Sequence, residues 1–167
     1  TIADGETMYV CHECRALTSM MPHEVDWWRR FITEARDSDI VVEVGAYIGL
    51  YTIPLAKRVG ARGKVITFEP NPYNLTMLEK NIRMNQLSER VQCLNIAAND
   101  HEATLKFILQ GSISGIDLSQ KCESPGVITV QAKSLDEVIG DGKVDLLKID
   151  VEGAEQKVLL GAKQILN

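Results

Sequence analysis

The chain has 167 residues, 45% hydrophobic and 25% charged, which is the profile of one globular domain with a core and excludes both a mini-protein and a disordered segment. Its 18 Lys and Arg and 23 Asp and Glu are scattered to a formal charge of −5, so no phosphate-tracking surface and no nucleic-acid partner are expected. No apolar run approaches the ~20 residues that span a bilayer, and the opening TIADGETMYV lacks the basic and apolar regions of a signal peptide, so this segment is expected to be cytoplasmic with no membrane partner.

Residues 1–22 carry no sustained period. From Glu24 to Arg36, Val25, Trp28, Phe31, Ile32 and Ala35 recur on one side of a helix, so 1–37 reads as an N-terminal segment and helix packed on a core formed by 38–167. Trp27 and Trp28 cannot share a helix face: one is expected to pack and the other to cover a pocket. Ile40–Val44 is an almost wholly apolar run ending in Gly45, as suits a strand covered on both faces of a parallel sheet. A helix follows over 49–59, with Pro54 accommodated near its first turn. Val65–Phe68 is a second such run, after which Asn71 and Pro72 form an N-cap with proline at the first helical position. Leu75, Leu78 and Ile82 supply that helix's buried stripe, it ends near Asn85, and Val91–Ile96 is the third strand. This alternation means βαβ units, right-handed crossovers and a parallel sheet.

Between Asp100 and Lys133 the rhythm changes. Leu105, Phe107 and Leu109 alternate with polar neighbours, as do Ile128, Val130 and Ala132, which predicts an antiparallel pair joined by a mobile or substrate-facing loop over 111–126. Ser134 to Glu137 has capping-box form and starts a short helix. Asp145–Asp150 is the next parallel strand and Gly153–Leu166 the helix after it. Open α/β sheets bind ligands at a switch point flanked by two halves, and only four parallel strands are present, so the later strands are expected to be missing through truncation or disorder. Of the four cysteines, Cys11 and Cys14 have C-x-x-C spacing without a second pair, so no metal site is expected. The thiols read as reduced, with Cys93 buried in a strand.

The most informative segment runs from a strand through Glu43-Val44-Gly45-Ala46-Tyr47-Ile48-Gly49 into a helix. Gly45 and Gly49 let the backbone turn sharply and approach a ligand with no Cβ in the way, and the following helix presents free N–H groups. A nicotinamide-binding turn reads G-x-G-x-x-G; Tyr47 in the middle position disfavours close passage of a pyrophosphate. Glu43 sets a carboxylate where phosphate is repelled and a positively charged amino-acid end is attracted. Glu69, ~20 residues beyond the glycine turn, is placed to accept from ribose hydroxyls. Either acid alone reads equally well as a solvated strand end, but at successive strand ends on one side of a sheet the two point to an adenosyl cofactor. Ala98, Asn99 and Asp100 are placed to flank an adenine or to form an ordinary turn. Asp150 and Glu152 fall at the carboxyl edge, where such sheets bind ligands.

Three stretches, VVEVGAYIGLYTIPLAKRVG at 41–60, GKVITFEPNPYNLTMLEKNIRMN at 63–85 and SLDEVIGDGKVDLLKIDVEGAEQKVLLGA at 134–162, make the chain resemble the FkbM family of methyltransferases. The resemblance implies an α/β fold of the Rossmann-like class I methyltransferase type. Its sheet would be mostly parallel with an inserted antiparallel pair, in three αβα layers, its later strands missing here. It also implies S-adenosyl-L-methionine as cofactor and, for the most part, O-methylation of hydroxyls on sugars, polyketides or other small metabolites. Carried over by position, Glu43, Gly45, Gly49 and Thr52 line the methionine end, Glu69 and Pro70 the ribose, and Asn99 with Asp100 the adenine side. Ala46, Tyr47, Asn71 and Ala98 complete the cofactor set.

Methyl transfer from a sulfonium is an in-line displacement, so alignment of donor and acceptor is the main demand on the protein. Asp150 or Glu152 is expected to take the proton of a small hydroxylated acceptor as general base. The alternatives are Asp150 helping to hold a divalent cation, or both acids serving structurally, Glu152 near a helix N-terminus. Tyr47 and Tyr51 shield the sulfonium or fill the core boundary, and His12, His23 and His101, without ligand spacing, read as surface or packing residues. The competing functions are a non-catalytic S-adenosylmethionine-binding module and, less favoured, a nicotinamide-dependent oxidoreductase. A homodimer is left open.

Overall fold

The computed structural model describes residues 22–109, 114–117 and 126–167. Cys11, His12, Cys14 and Cys122, with most of the 111–126 loop, lie outside them. In chain order the elements are α1 (Pro22–Glu34), β1 (Ile40–Val44), α2 (Thr52–Arg58), β2 (Lys64–Phe68), α3 (Pro72–Met84), β3 (Val91–Leu94), β4 (Ala97–Ala98), β5 (Ala103–Ile108), β6 (Gly115–Ile116), β7 (Val127–Lys133), α4 (Leu135–Ile139), β8 (Leu146–Ile149) and α5 (Glu155–Leu160).

The four apolar segments β3, β2, β1 and β8 lie side by side in that order, all parallel. Alternate side chains leave opposite faces of a strand, and here most on each face are apolar. Val41, Val65 and Leu146 meet Trp28, Ile32, Leu55, Leu78 and Ile82 from α1 to α3, while Val42, Val44, Phe68 and Leu147 meet Leu135 and Val158 from the α4 and α5 side. Covering both faces gives the three-layer αβα architecture expected from the sequence. A second, four-stranded sheet holds the antiparallel pair: β5 and β7 run from Ala103 opposite Ala132 to Ile108 opposite Val127, with β6 beside β5 and β4 parallel to β7. Leu105, Phe107, Val130 and Ala132 form its own core.

Four local expectations are corrected. The third strand, expected over 91–96, stops at Leu94 because the Asn95 amide turns to donate to the carbonyls of Glu69 and Pro70 at 2.9 and 3.1 Å, and the chain then changes sheets. The helix expected from Gly49 begins at Thr52, after a turn in which Tyr47 and Gly49 have φ of 51 and 103°. The helix expected over 153–166 is helical only from Glu155 to Leu160: Glu152 and Gly153 have positive φ before it, and the Asp136 carboxylate receives the N–H groups of Gln164 and Ile165 after it. The loop over 111–126 contains the two-residue strand β6. Trp28 is the inward member of the tryptophan pair, donating Nε1 to the Leu50 carbonyl at 3.1 Å, whereas Trp27 is exposed and is not among the residues lining the cleft described next. Cys93 is only half-buried.

Candidate cofactor and acceptor site

β1 carries Glu43 to the carboxyl edge of the sheet, on the same face as Val41, and buries it completely. Its Oε2 accepts from the Thr52 hydroxyl at 2.6 Å. Its Oε1 has no hydrogen-bond partner among the described residues and lies 3.9 Å from Nζ of Lys148, the residue beside it in register on β8. Burial pushes the Glu43 carboxyl up to about 7; the Lys148 ammonium and the Thr52 hydroxyl oppose that rise, and the negative charges of Glu69 and Asp150 add to it.

Glu69 follows β2 and is held differently. Its Oε2 accepts the Tyr47 N–H at 2.8 Å, and its Oε1 accepts the Asn71 N–H at 3.0 Å and the Asn74 amide at 3.3 Å. Burial raises this carboxyl too, against the pull of those three donors and of Lys148. A carboxylate offers about four acceptor positions, so the protein fixes the group and leaves one position, on Oε2.

Gly45 makes the turn between the two acids. Its φ is 83°, and a Cβ there would lie 1.9 Å from the Asp150 carbonyl oxygen, so β1 leaves the sheet pressed directly against the end of β8. The N–H groups of Gly45 and Ala46 both donate to the Phe68 carbonyl, at 3.0 and 3.3 Å, tying the turn to β2.

Glu43 and Glu69 open into one cleft. Gly45, Ala46, Tyr47, Pro70 and Ala98 line it with them, as do Asp150 and Glu152. Asp150 is largely exposed and its Oδ2 lies 3.3 Å from Lys148 Nζ; Glu152 is exposed, with a positive φ of 54°. Gly49, Thr52 and Asn71 stand behind the lining: Gly49 against Leu78, Thr52 on Glu43, and Asn71 capping α3 by accepting the Tyr73 N–H at 3.0 Å. Asn99 and Asp100, expected at the adenine side, are outside the lining. The switch of sheets at Ala97 and Ala98 carries Asn99 into the core, where a Cβ on Gly161 would lie 2.1 Å from its carbonyl oxygen and its amide donates to the His101 carbonyl. Asp100 lies 2.8 Å from the exposed His101 ring.

Sequence reasoning missed Lys148, Asn74 and a whole wall of the cleft formed by Phe107, Ser114 and Ile116 of the second sheet. A lysine inside an apolar strand was a signal for the first; the wall depends on how two sheets dock, which no local pattern records. Among the described residues, no three His, Cys, Asp or Glu side chains are grouped to hold a metal ion, and no helix is long and apolar enough to cross a membrane.

The residues present suit an adenosyl-sulfonium ligand: a buried carboxylate oxygen without a hydrogen-bond partner could take its ammonium group, and a second, immobilised carboxylate keeps an acceptor position for a ribose hydroxyl. The fold, a parallel sheet between two helical layers with the cleft at its carboxyl edge, is the Rossmann-like one of the class I methyltransferases, whose cofactor is S-adenosylmethionine. The family described as the methyltransferase FkbM domain matches residues 43–167, and the chain belongs to it.

Among individual proteins, the chain is similar to Methyltransferase 1 of Beauveria bassiana, 26% identical over 148 residues that make up 75% of this chain and 59% of that protein. It is also similar to the hexuronic acid methyltransferase AglP of Haloferax volcanii, 28% identical over 146 residues, 86% of this chain and 58% of that one. The chain thus spans about three fifths of the length of these curated relatives. Among solved structures it is similar to TYW2 of P. horikoshii in complex with MeSAdo, with a TM-score of 0.41 and 28% identity over 48% of this chain and 32% of that one.

Proposed function

We propose that the protein transfers a methyl group from S-adenosylmethionine to a hydroxyl of a small metabolite or sugar. The observation that carries this reading is that Glu43 and Glu69, from neighbouring strands, open into a single cleft. The cofactor, when bound, supplies a methyl group already activated on a sulfonium. The unpartnered Oε1 of Glu43 would hold its amino group, and the remaining position on Glu69 Oε2 its ribose. Ala97 and Ala98, which have no side chain beyond Cβ, leave room for a flat ring against the cleft wall. Asp150 accepts the proton of the acceptor hydroxyl, with Glu152 beside it. Phe107 and Ile116 form an apolar wall that excludes water from the acceptor side.

Two further points support the acceptor class. The relative from Haloferax volcanii is named for a hexuronic acid, a hydroxylated sugar derivative. The cleft presents four carboxylates and one ammonium, a poor surface for a phosphate-rich acceptor.

Calorimetry with S-adenosylmethionine, S-adenosylhomocysteine and NAD tests the cofactor. Binding of the first two is expected, and Glu69→Ala is expected to weaken it about tenfold or more, the cost of one hydrogen bond to a charged group. A preference for NAD overturns the reading. Binding without methyl transfer to any of a broad panel of hydroxylated metabolites turns it into that of a binding module.

A further inference from the structure

Lys148 is a buried cation that no step above uses. It is 8% exposed and comes from β8 in register with Glu43. Its Nζ lies 3.9 Å from Glu43 Oε1, 3.3 Å from Asp150 Oδ2 and 3.5 Å from the Gly45 carbonyl oxygen, and stands 4.5 Å from the centroid of the Tyr51 ring. A buried ammonium persists only where it is paired. Here the carbonyl and the ring face hold it at a fixed point between two acids that serve different halves of the cleft.

We propose that Lys148 is a positioning residue: its ammonium bridges Glu43 and Asp150, orienting the first toward the cofactor's amino group and the second toward the acceptor. The inference rests on the cofactor reading given above. The groups facing Glu43 are Lys148 and Asp150 at the end of β8, Glu69 beyond β2, the Thr52 hydroxyl on α2 and the Cys93 thiol on β3. Lys148 is the cation among them, so its loss leaves Glu43 protonated to higher pH, and a protonated carboxyl is a poor acceptor for an ammonium group. Above that pH the opposite holds, because a competing cation has gone and the ligand binds as tightly or more tightly. A lesion that only loosens packing lowers affinity at every pH.

The test is calorimetry of S-adenosylhomocysteine and of 5′-methylthioadenosine, which lacks the amino-acid end, from about pH 5.5 to about pH 7.5, a range below the ordinary α-amino pKa. For the unaltered protein, S-adenosylhomocysteine affinity is expected to rise with pH and level off near about 7. In Lys148→Met the rise moves up by about one pH unit, so binding is about tenfold weaker at the low end of the range, the deficit narrows to about threefold at its upper end, and the affinity is still climbing there; a packing lesion leaves the deficit constant. Methylthioadenosine binds both proteins equally at every pH. In Glu43→Gln the rise disappears, and adding Lys148→Met changes nothing further. Lys148→Gln, which keeps a hydrogen-bond donor, carries the same expectation should Lys148→Met not fold. An unmoved midpoint, or a parallel loss of both ligands at all pH values, overturns the role of Lys148 and leaves the cofactor reading standing. Failure of the unaltered protein to bind either ligand overturns both.

Discussion

Gly45 and Gly153 share a backbone that disfavours side chains and differ in what surrounds them. At Gly45 an added Cβ meets the Asp150 carbonyl oxygen at 1.9 Å, whereas at Gly153, with φ of 101°, nothing lies within 4 Å. Gly45→Ala must therefore separate the ends of β1 and β8 as well as strain the turn, and is expected to cost on the order of 3 kcal/mol. Gly153→Ala carries the conformational term alone, about 1–2 kcal/mol. Urea unfolding of the two variants checks this, and equal losses would remove the argument that β1 and β8 need contact at Gly45. The same pair of strands shows why Glu43 was legible in the sequence and Lys148 was not. An acid two residues before a glycine turn is a local pattern; a lysine in an apolar strand marks Lys148 as unusual, but its pairing with Glu43 follows from register with a strand about a hundred residues earlier, which no window along the chain contains.

Strands of a doubly covered parallel sheet read as continuous apolar runs, and for that reason β1, β2 and β8 are legible nearly to the residue. Boundaries were lost wherever a side chain bonded across the fold: Asn95 to the end of β2 halts β3, and Asp136 to Gln164 and Ile165 ends α5 early. The first of these also explains why Ala98 lines the cleft and Asn99 does not, since by Asn99 the chain has already changed sheets. Signals contained within four residues held. Ser134 accepts the Glu137 N–H at 3.1 Å and the Glu137 carboxylate receives the Ser134 N–H at 2.9 Å, a complete capping box on a helix of only five residues. A helix that short has little propensity of its own, so Ser134→Ala is expected to cost about 1 kcal/mol. Hydrogen exchange near Leu135 and Val138 should rise with it, while protection in α3 stays unchanged. Loss of protection in α3 as well would mean that α4 and α3 unfold as one unit.

At the scale of the whole molecule, the acids that shape the cleft act against the stability of the fold that holds them. Glu43 titrates near about 7 when folded and at the ordinary 4.5 when unfolded, so between those values the native state holds a proton that the unfolded chain has released. Its contribution is therefore most favourable below the lower value and falls as pH rises through the window, by up to about 3 kcal/mol at 1.36 kcal/mol per pKa unit. Glu69, also raised by burial, acts with the same sign. Asp37, Asp145 and Glu155, held low by hydrogen bonds, lose their contribution only as pH falls below the ordinary carboxylate range, outside this window. The melting temperature is thus expected to decline between about pH 5.5 and about pH 7.5, by several degrees for a domain of this size. S-adenosylhomocysteine brings Glu43 a second cation beside Lys148, so its stabilising effect should grow across the same interval and flatten the decline. Glu43→Gln should remove the growth and reduce the decline to the part that Glu69 contributes. If the ligand instead stabilised the protein equally at every pH, Glu43 would not be the group that receives the amino end.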